Sequence, residues 1–110
     1  MMRLNEYRIM WIMVFFDLPT ETDADKRAYL KFRNNLLKDG FQMFQFSIYM
    51  RHCFSKEIAD VHKKRVQSFL PSKGKVGILG VTDKQFGMME IFEGREKAEV
   101  KPPPQQLELF

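Results

Sequence analysis

Short apolar runs and amphipathic segments follow one another along the chain and divide it into strands and helices. Residues 9–16 are uninterrupted apolar and include three aromatic side chains, which predicts a strand buried on both faces. Beyond Pro19, apolar residues recur every four positions from Ala24 to Leu36, which predicts an amphipathic helix that ends at Gly40. Thr22 and the acidic residue three positions later resemble a capping box at its start.

The second half of the chain predicts more strands around a second helix. Residues 41–50 alternate apolar and polar side chains without glycine or proline, so the pattern predicts one long, half-buried strand. A second amphipathic helix is predicted from its N-cap Ser55 to Leu70. The remaining predicted elements are a strand over 75–82, a turn over 82–87 and a short strand over 88–92.

This order of elements favours an α+β fold in which both helices pack on one face of an antiparallel sheet. A ferredoxin-like sandwich is the natural candidate, although it requires residues 41–51 to break into two strands, and the sequence shows no turn there. We predict a ferredoxin-like domain over 1–93, a linker over 94–104 that contains three consecutive prolines, and a docking tail over 105–110.

Length and composition narrow the class of protein. A chain of 110 residues forms one domain, and its single cysteine excludes an internal disulfide and fits a reducing compartment. One cysteine and two histidines also argue against a structural zinc site. The longest apolar run has eight residues, whereas a membrane span needs about twenty. We therefore expect a cytoplasmic protein with no membrane partner.

The positive charge is concentrated in the middle of the chain. The net charge is +4, and residues 41–74 hold six basic and two acidic side chains, which equals the whole excess. A localised basic segment favours a phosphate-bearing partner such as nucleic acid. A solvated helix face that collects lysines gives the same pattern, so both interpretations stay open at this point.

Asp17 is the candidate catalytic residue, because it directly follows the buried strand and carries a carboxylate on a rigid element. The alternative is a turn aspartate that caps nearby backbone amides. One carboxylate is a sparse ligand set for Mg²⁺, and a symmetric dimer would supply a second by placing Asp17 opposite its own copy. His52, His62 and Cys53 have no partners at metal-binding or nucleophile spacing, so we expect no catalytic role for them.

Four segments resemble, in order, the small CRISPR-associated protein two family, the scaffold partner of the spacer integrase. They are Met13–Pro19, Lys26–Arg33, Gly40–Tyr49 and Val81–Gly87. The last segment is similar to members from systems with a single large effector nuclease, and the resemblance covers about residues 8–93. It implies a ferredoxin-like homodimer in which residues 41–51 bend into two strands.

The resemblance implies two functions. The more widely shared one is architectural: the dimer bridges two integrase dimers and binds the backbone of duplex DNA during acquisition of a new spacer. Family members also include metal-dependent nucleases that act on RNA or duplex DNA, and the family's metal-binding aspartate falls on Asp17, which implies a Mg²⁺-dependent endonuclease. The scaffold is the leading interpretation. The alternative is a protein that is primarily a metal-dependent ribonuclease or DNase, including a toxin-like ribonuclease of the same fold.

The expected DNA contacts are basic side chains that bind phosphates without reading sequence. The resemblance implies that Arg27 matches arginines of the family that contact the DNA backbone. Charge placement adds five further candidates, which are Lys26, Arg33, Arg51, Lys63 and Lys64.

The tail over 105–110 has two interpretations. Members of the family that this chain resembles often add a C-terminal strand to the sheet of the partner protomer, which implies strand exchange between protomers by edge pairing. Alternatively, the tail resembles the short peptide by which bacterial proteins bind the replication sliding clamp, with contacts from Gln106, Leu107, Leu109 and Phe110. Strand exchange is the favoured interpretation.

Overall fold

A computed structural model describes residues 10–98 and shows a four-stranded antiparallel sheet with helices. In chain order the elements are β1 (Met10–Asp17), α1 (Asp23–Lys38), β2 (Gln42–Gln45), β3 (Ile48–Cys53), α2 (Lys56–Ser68), β4 (Lys75–Thr82), α3 (Asp83–Gly87), β5 (Ile91–Glu93) and β6 (Glu96–Ala98). The strand order is β2-β3-β1-β4, so β1 is central, as its apolar run predicted. The β-α-β-β-α-β succession confirms the predicted α+β, ferredoxin-like fold.

Helices α1 and α2 both pack on the same face of the sheet, as predicted. Side chains alternate between the two faces along β1, so Ile12, Val14 and Phe16 point together toward the helices. Phe32 and Leu36 of α1, with Ala59 and Val66 of α2, complete this core. Thr22 and Asp25 form the expected capping box of α1, and Ser55 caps α2. These caps confirm the helix starts expected from the sequence, whereas α2 ends at Ser68, two residues before the predicted end at Leu70.

The opposite face of the sheet, called here the outer face, carries Trp11, Met13, Phe15 and Asp17 of β1. A turn was predicted over 82–87, but this prediction is wrong, because Thr82 and Gln85 form a capping box that starts the short helix α3. Phe86 of α3 stacks on Trp11 with ring centroids 4.1 Å apart. The Trp11 Nε1 also donates to Asp83 Oδ1 at 2.8 Å. Helix α3 therefore covers one end of the outer face.

The predicted single strand over 41–50 is wrong, and the bend implied by the family resemblance is confirmed. Strands β2 and β3 form a hairpin whose tip is Phe46 and Ser47. The turn has no glycine or proline because Ser47 itself adopts the left-handed conformation, with φ +64°, which few residues other than glycine adopt. Its backbone oxygen accepts a hydrogen bond from the Phe16 N–H at 3.0 Å, which fixes the tip against β1.

The end of the described region differs in detail from the sequence prediction. The strand predicted over 88–92 begins later, at Ile91, and pairs with β6 around Gly94 in a separate two-stranded sheet. Strand β6 lies within the segment predicted as a linker over 94–104. The docking tail over 105–110, with Gln106, Leu107, Leu109 and Phe110, lies outside the described residues. Between residues 10 and 98, no helix is long and apolar enough to cross a membrane.

Candidate functional site

Asp17 is the last residue of β1, and its side chain is exposed on the outer face. The register places it directly opposite Lys75, the first residue of β4. Opposed residues of an antiparallel pair share a face, with Cβ atoms about 5 Å apart. The site therefore carries one acidic and one basic side chain at opposed positions on the same face of the sheet. Lys75 was not among the site residues predicted from the sequence.

Asp17 and Lys75 border an open hollow of about 720 Å³ at this end of the outer face. The tip of the β2–β3 hairpin contributes Phe46 and Ser47 to the same hollow, and Phe15 lines its apolar floor. The hollow therefore brings together an acid, a base and an exposed aromatic ring from three parts of the sequence.

Gly74 sets the position of the Asp17 backbone. It has φ +91°, and a Cβ built on it would lie 2.7 Å from the Asp17 carbonyl oxygen and 2.7 Å from Leu18 Cδ2. Real Cβ atoms essentially never approach this closely, so only glycine fits here without displacing the chain after β1. Gly74 is thus a positioning residue that the sequence pattern did not single out.

The single carboxylate of Asp17 suits Mg²⁺, which binds few protein ligands, better than it suits metal ions that need three or four of them. Among residues 10–98, no group of three or more His, Cys, Asp or Glu side chains is placed to hold a metal ion. One chain therefore offers the Asp17 carboxylate, with the Ser47 residue in the same hollow. Mg²⁺ commonly uses one or two carboxylates, retains waters and takes the rest of its oxygen ligands from substrate phosphates.

The predicted nucleic-acid contacts lie mainly on the two long helices rather than beside Asp17. Lys26 and Arg27 are exposed on α1, and Lys64 is exposed on α2. Arg33 and Lys63 are partly buried. The Lys63 Nζ lies close to Gly80, where an added Cβ would be 2.9 Å from it. These cations are not among the described residues that line the hollow at Asp17.

Arg51 is more enclosed than the other predicted contacts. It lies opposite Ile12, so it points toward the helix face, where its guanidinium packs against Gly40 just beyond α1. Its Nη1 donates to the His52 carbonyl oxygen at 3.3 Å, while its buried Nε has no hydrogen-bond partner among residues 10–98. A phosphate contact by Arg51 would therefore require its guanidinium to leave this position.

A buried polar cluster joins the end of α1 to α2. Asp39 Oδ2 accepts from His62 Nδ1 at 2.7 Å, and Asp39 Oδ1 accepts from Arg65 Nη1 at 3.0 Å. The side chains of Asp39 and His62 are at least nine-tenths buried, whereas that of Arg65 is largely exposed. His62 therefore lies buried between α1 and α2 with a carboxylate partner that the sequence did not indicate.

Replacing Asp39 with alanine should lower the free energy of unfolding by about 2 kcal/mol, because it leaves the buried His62 ring without its acceptor. Urea denaturation followed by circular dichroism measures this change. Arg65→Ala is the matched control and should cost less than half as much, since this guanidinium is mostly in solvent. Equal losses for the two variants would contradict the importance assigned to the buried His62–Asp39 contact.

Cys53 lies in the core, 1% exposed, and burial raises the pKa of its thiol to about 11. The thiolate, which is the reactive form, is thus scarce near neutral pH. We expect the folded protein not to react with a thiol-specific disulfide reagent at pH 8, and one thiol to react on addition of denaturant. Rapid labelling of the folded protein would contradict this assignment. His52 is also buried, which lowers the pKa of its imidazole and favours the neutral ring.

The comparisons with known proteins agree on one family. The family model described as CRISPR associated protein Cas2 matches residues 10–89. A CRISPR-associated endoribonuclease Cas2 of Flavobacterium psychrophilum is 58% identical over 108 residues, covering 98% of this chain and 94% of the relative. Proteins of the same name match from Parvibaculum lavamentivorans, at 46% over 101 residues (92% and 100% coverage), and Ligilactobacillus salivarius, at 46% over 92 residues (84% and 91%).

Proposed function

The chain belongs to the CRISPR-associated Cas2 family, and from this premise we propose that it is a Mg²⁺-dependent endonuclease that hydrolyses RNA at Asp17. The observation that carries the proposal is the exposed Asp17 carboxylate, held at the end of a buried central strand beside Lys75. The relatives named endoribonucleases support RNA as the substrate.

Each residue of the site has a defined task in this proposal. Asp17 would hold Mg²⁺, which when bound neutralises phosphate charge and lowers the pKa of a coordinated water. Lys75 attracts the phosphate electrostatically and keeps the strand within reach of Asp17. Hydrolysis forms a bond from a water oxygen to phosphorus and breaks the bond to the leaving oxygen, which takes up a proton. Gly74 and β1 keep the carboxylate in place throughout.

We also propose that the working form is a homodimer joined through the outer face. Phe15 is 37% exposed and Leu79 is 49% exposed on this face, beyond the part that α3 covers. A two-fold contact over these side chains would bring two Asp17 residues toward each other, because an isologous interface repeats every residue. Sedimentation equilibrium should give twice the mass of the chain, and a monomer at micromolar concentration would contradict the dimer.

The nuclease is tested with a labelled single-stranded RNA and a DNA duplex of the same sequence. The expected result is internal cleavage of the RNA in Mg²⁺, no cleavage in EDTA, and recovery when Mg²⁺ is added back in excess. Cleavage that persists in EDTA would contradict the metal dependence. Cleavage of the duplex alone would contradict RNA as the substrate while leaving the nuclease in place.

A second candidate function is the adaptation scaffold, in which the dimer grips duplex DNA and bridges integrase dimers. It is favoured by the exposed cations of α1 and α2, Lys26, Arg27 and Lys64, which are not among the residues that line the Asp17 hollow. Such cations bind phosphates of any sequence. The two functions use different surfaces, so one protein can perform both.

The scaffold is tested by titrating the protein with the integrase from the same locus, with and without short duplex DNA. A stable complex that strengthens with DNA is expected. Arg27→Gln should reduce the gain in affinity that DNA produces and make this gain less dependent on salt, because one phosphate contact is lost. Asp17→Asn should leave the complex unchanged. Two results would contradict a separate scaffold surface: the absence of any complex with the integrase, with or without DNA, or a complex that is lost in Asp17→Asn.

A further inference from the structure

The aromatic ring beside Asp17 suggests how the site selects its substrate. We propose that Phe46 stacks one unpaired nucleobase and that Lys75 binds the phosphate of the same nucleotide, which places the adjoining backbone at Asp17. This inference deepens the proposed nuclease and rests on its location at Asp17. The two residues would then determine a preference for single strands over duplexes.

Phe46 is exposed to a degree that core formation does not explain. It is 77% exposed, more than any other large hydrophobic side chain of residues 10–98. Its backbone is nonetheless held in place, because it lies at the tip of a tight hairpin whose Ser47 carbonyl accepts from the Phe16 N–H at 3.0 Å. Phe16 directly precedes Asp17, so one hydrogen bond links the ring's hairpin to the strand that carries the carboxylate.

Tyr29 of α1 supports the Phe46 ring from the helix side. The two ring centroids are 6.3 Å apart with 24° between their planes, and Tyr29 itself packs against the core residue Phe16. Phe46 is also among the residues that line the hollow at Asp17. Rings held in this way are the usual platforms for bases of single-stranded nucleic acids. A base inside a duplex is already stacked on both sides, so it cannot use such a platform.

Lys75 supplies the charge that such a nucleotide requires. It shares the hollow with Phe46 and lies opposite Asp17 in the register of β1 and β4. Phe46, Asp17 and Lys75 border this open hollow, whereas Phe15, the proposed dimer contact, lies on its floor, so the nucleotide would bind along the border and leave the floor to the dimer. In this arrangement Phe46 would contact the base and Lys75 the phosphate of one nucleotide. The adjoining backbone would then lie at Asp17, where the reaction is proposed to occur.

The test measures binding without cleavage. A short oligoribonucleotide with one 2-aminopurine base is titrated with the protein in EDTA, because stacking quenches this fluorophore. We expect quenching with the wild-type protein and with Phe46→Trp. Phe46→Ala should bind about tenfold more weakly and quench little, in line with the stacking contribution of one base. Phe92→Ala, which removes an exposed ring from β5, is the matched control and should behave as wild type.

Lys75→Gln separates the charge contribution from stacking. It should weaken binding and reduce the salt dependence by about one phosphate contact, while quenching at saturation stays at the wild-type level. Lys56→Gln is its control, since Lys56 starts α2, just after the end of β3 that lies farthest from Asp17. A duplex containing the same base should show no quenching by any variant.

Three results would overturn the inference. One is equal quenching by wild type and Phe46→Ala, and another is no binding of the oligonucleotide by the wild type. The third is loss of the homodimer in Phe46→Ala, seen by sedimentation, because the ring would then be a contact between two copies of the chain. Base stacking without any cleavage in Mg²⁺ would instead contradict the proposed nuclease and leave the binding site standing, so the two failures are distinguishable.

Discussion

Replacing Asp17 with asparagine should reduce RNA cleavage at least about 100-fold, because the variant keeps the shape of the side chain and removes its charge. The proposed site has one carboxylate per chain, and among residues 10–98 there is no cluster of other ligands to replace it. The free energy of unfolding should change by less than about 0.5 kcal/mol, since Asp17 is exposed at the end of β1. Loss of activity with an intact fold is the signature of a ligand rather than a structural residue.

This expectation is checked by single-turnover cleavage in Mg²⁺ together with thermal unfolding of the same samples. Asp60→Asn is a suitable control, because it makes the same chemical change at an exposed position of α2. Its cleavage rate should equal that of the wild type. Two other outcomes would change the interpretation. An unaltered cleavage rate for Asp17→Asn would show that the reaction occurs at another site. A large drop in its melting temperature would instead show that Asp17 has a structural role, as an aspartate that caps backbone amides of a turn.

Replacing Gly74 with alanine should be the most disruptive single-methyl change near the site. The left-handed backbone of Gly74 disfavours alanine by about 1–2 kcal/mol. The added Cβ would also meet the backbone oxygen of Asp17, which cannot rotate away as a side chain can. Together we expect a loss of about 3 kcal/mol in the free energy of unfolding, with cleavage reduced even under conditions where the variant is folded.

The effect of Gly74→Ala is measured by urea denaturation and by the cleavage rate at low temperature, where the variant is still folded. Gly87→Ala is the control, because an added Cβ there meets no atom of residues 10–98 within 4 Å and the φ of Gly87 lies outside the left-handed region. It should leave both quantities unchanged or slightly raise stability. If Gly74→Ala is as stable and as active as Gly87→Ala, the chain after β1 does not depend on the close approach of residue 74.

The general architecture was predictable because its determinants are local. The apolar run that became β1, the four-residue periodicity of α1 and the cap Ser55 are each visible within a few neighbouring residues. The hairpin was not predictable from the pattern, since its turn uses Phe46 and Ser47 in place of the usual glycine or asparagine. Only the resemblance to known family members indicated the bend. Helix α3 was missed because its five residues are too few to show a periodicity.

The site was predicted in part for a related reason. Asp17 was found because it follows a conspicuous strand, but its neighbours come from distant parts of the chain. Lys75 and Gly74 could have been located by one further step, since a strand antiparallel to β1 must begin beside the end of β1. Phe46 could not, because alternation assigned it to the buried side of a long strand. The hairpin turn instead leaves its ring in solvent.

Direct observation of metal binding at Asp17 is the sharpest test of the nuclease site, because it is independent of any contaminating activity. Mn²⁺ replaces Mg²⁺ at oxygen sites and broadens nearby nuclear magnetic resonance signals. Small amounts of Mn²⁺ should broaden the backbone amide signals of Asp17, Ser47 and Lys75 in the wild type, and excess Mg²⁺ should restore them. The same signals should remain sharp in Asp17→Asn. Equal broadening in both proteins, or broadening centred on another part of the chain, would contradict a metal site at Asp17.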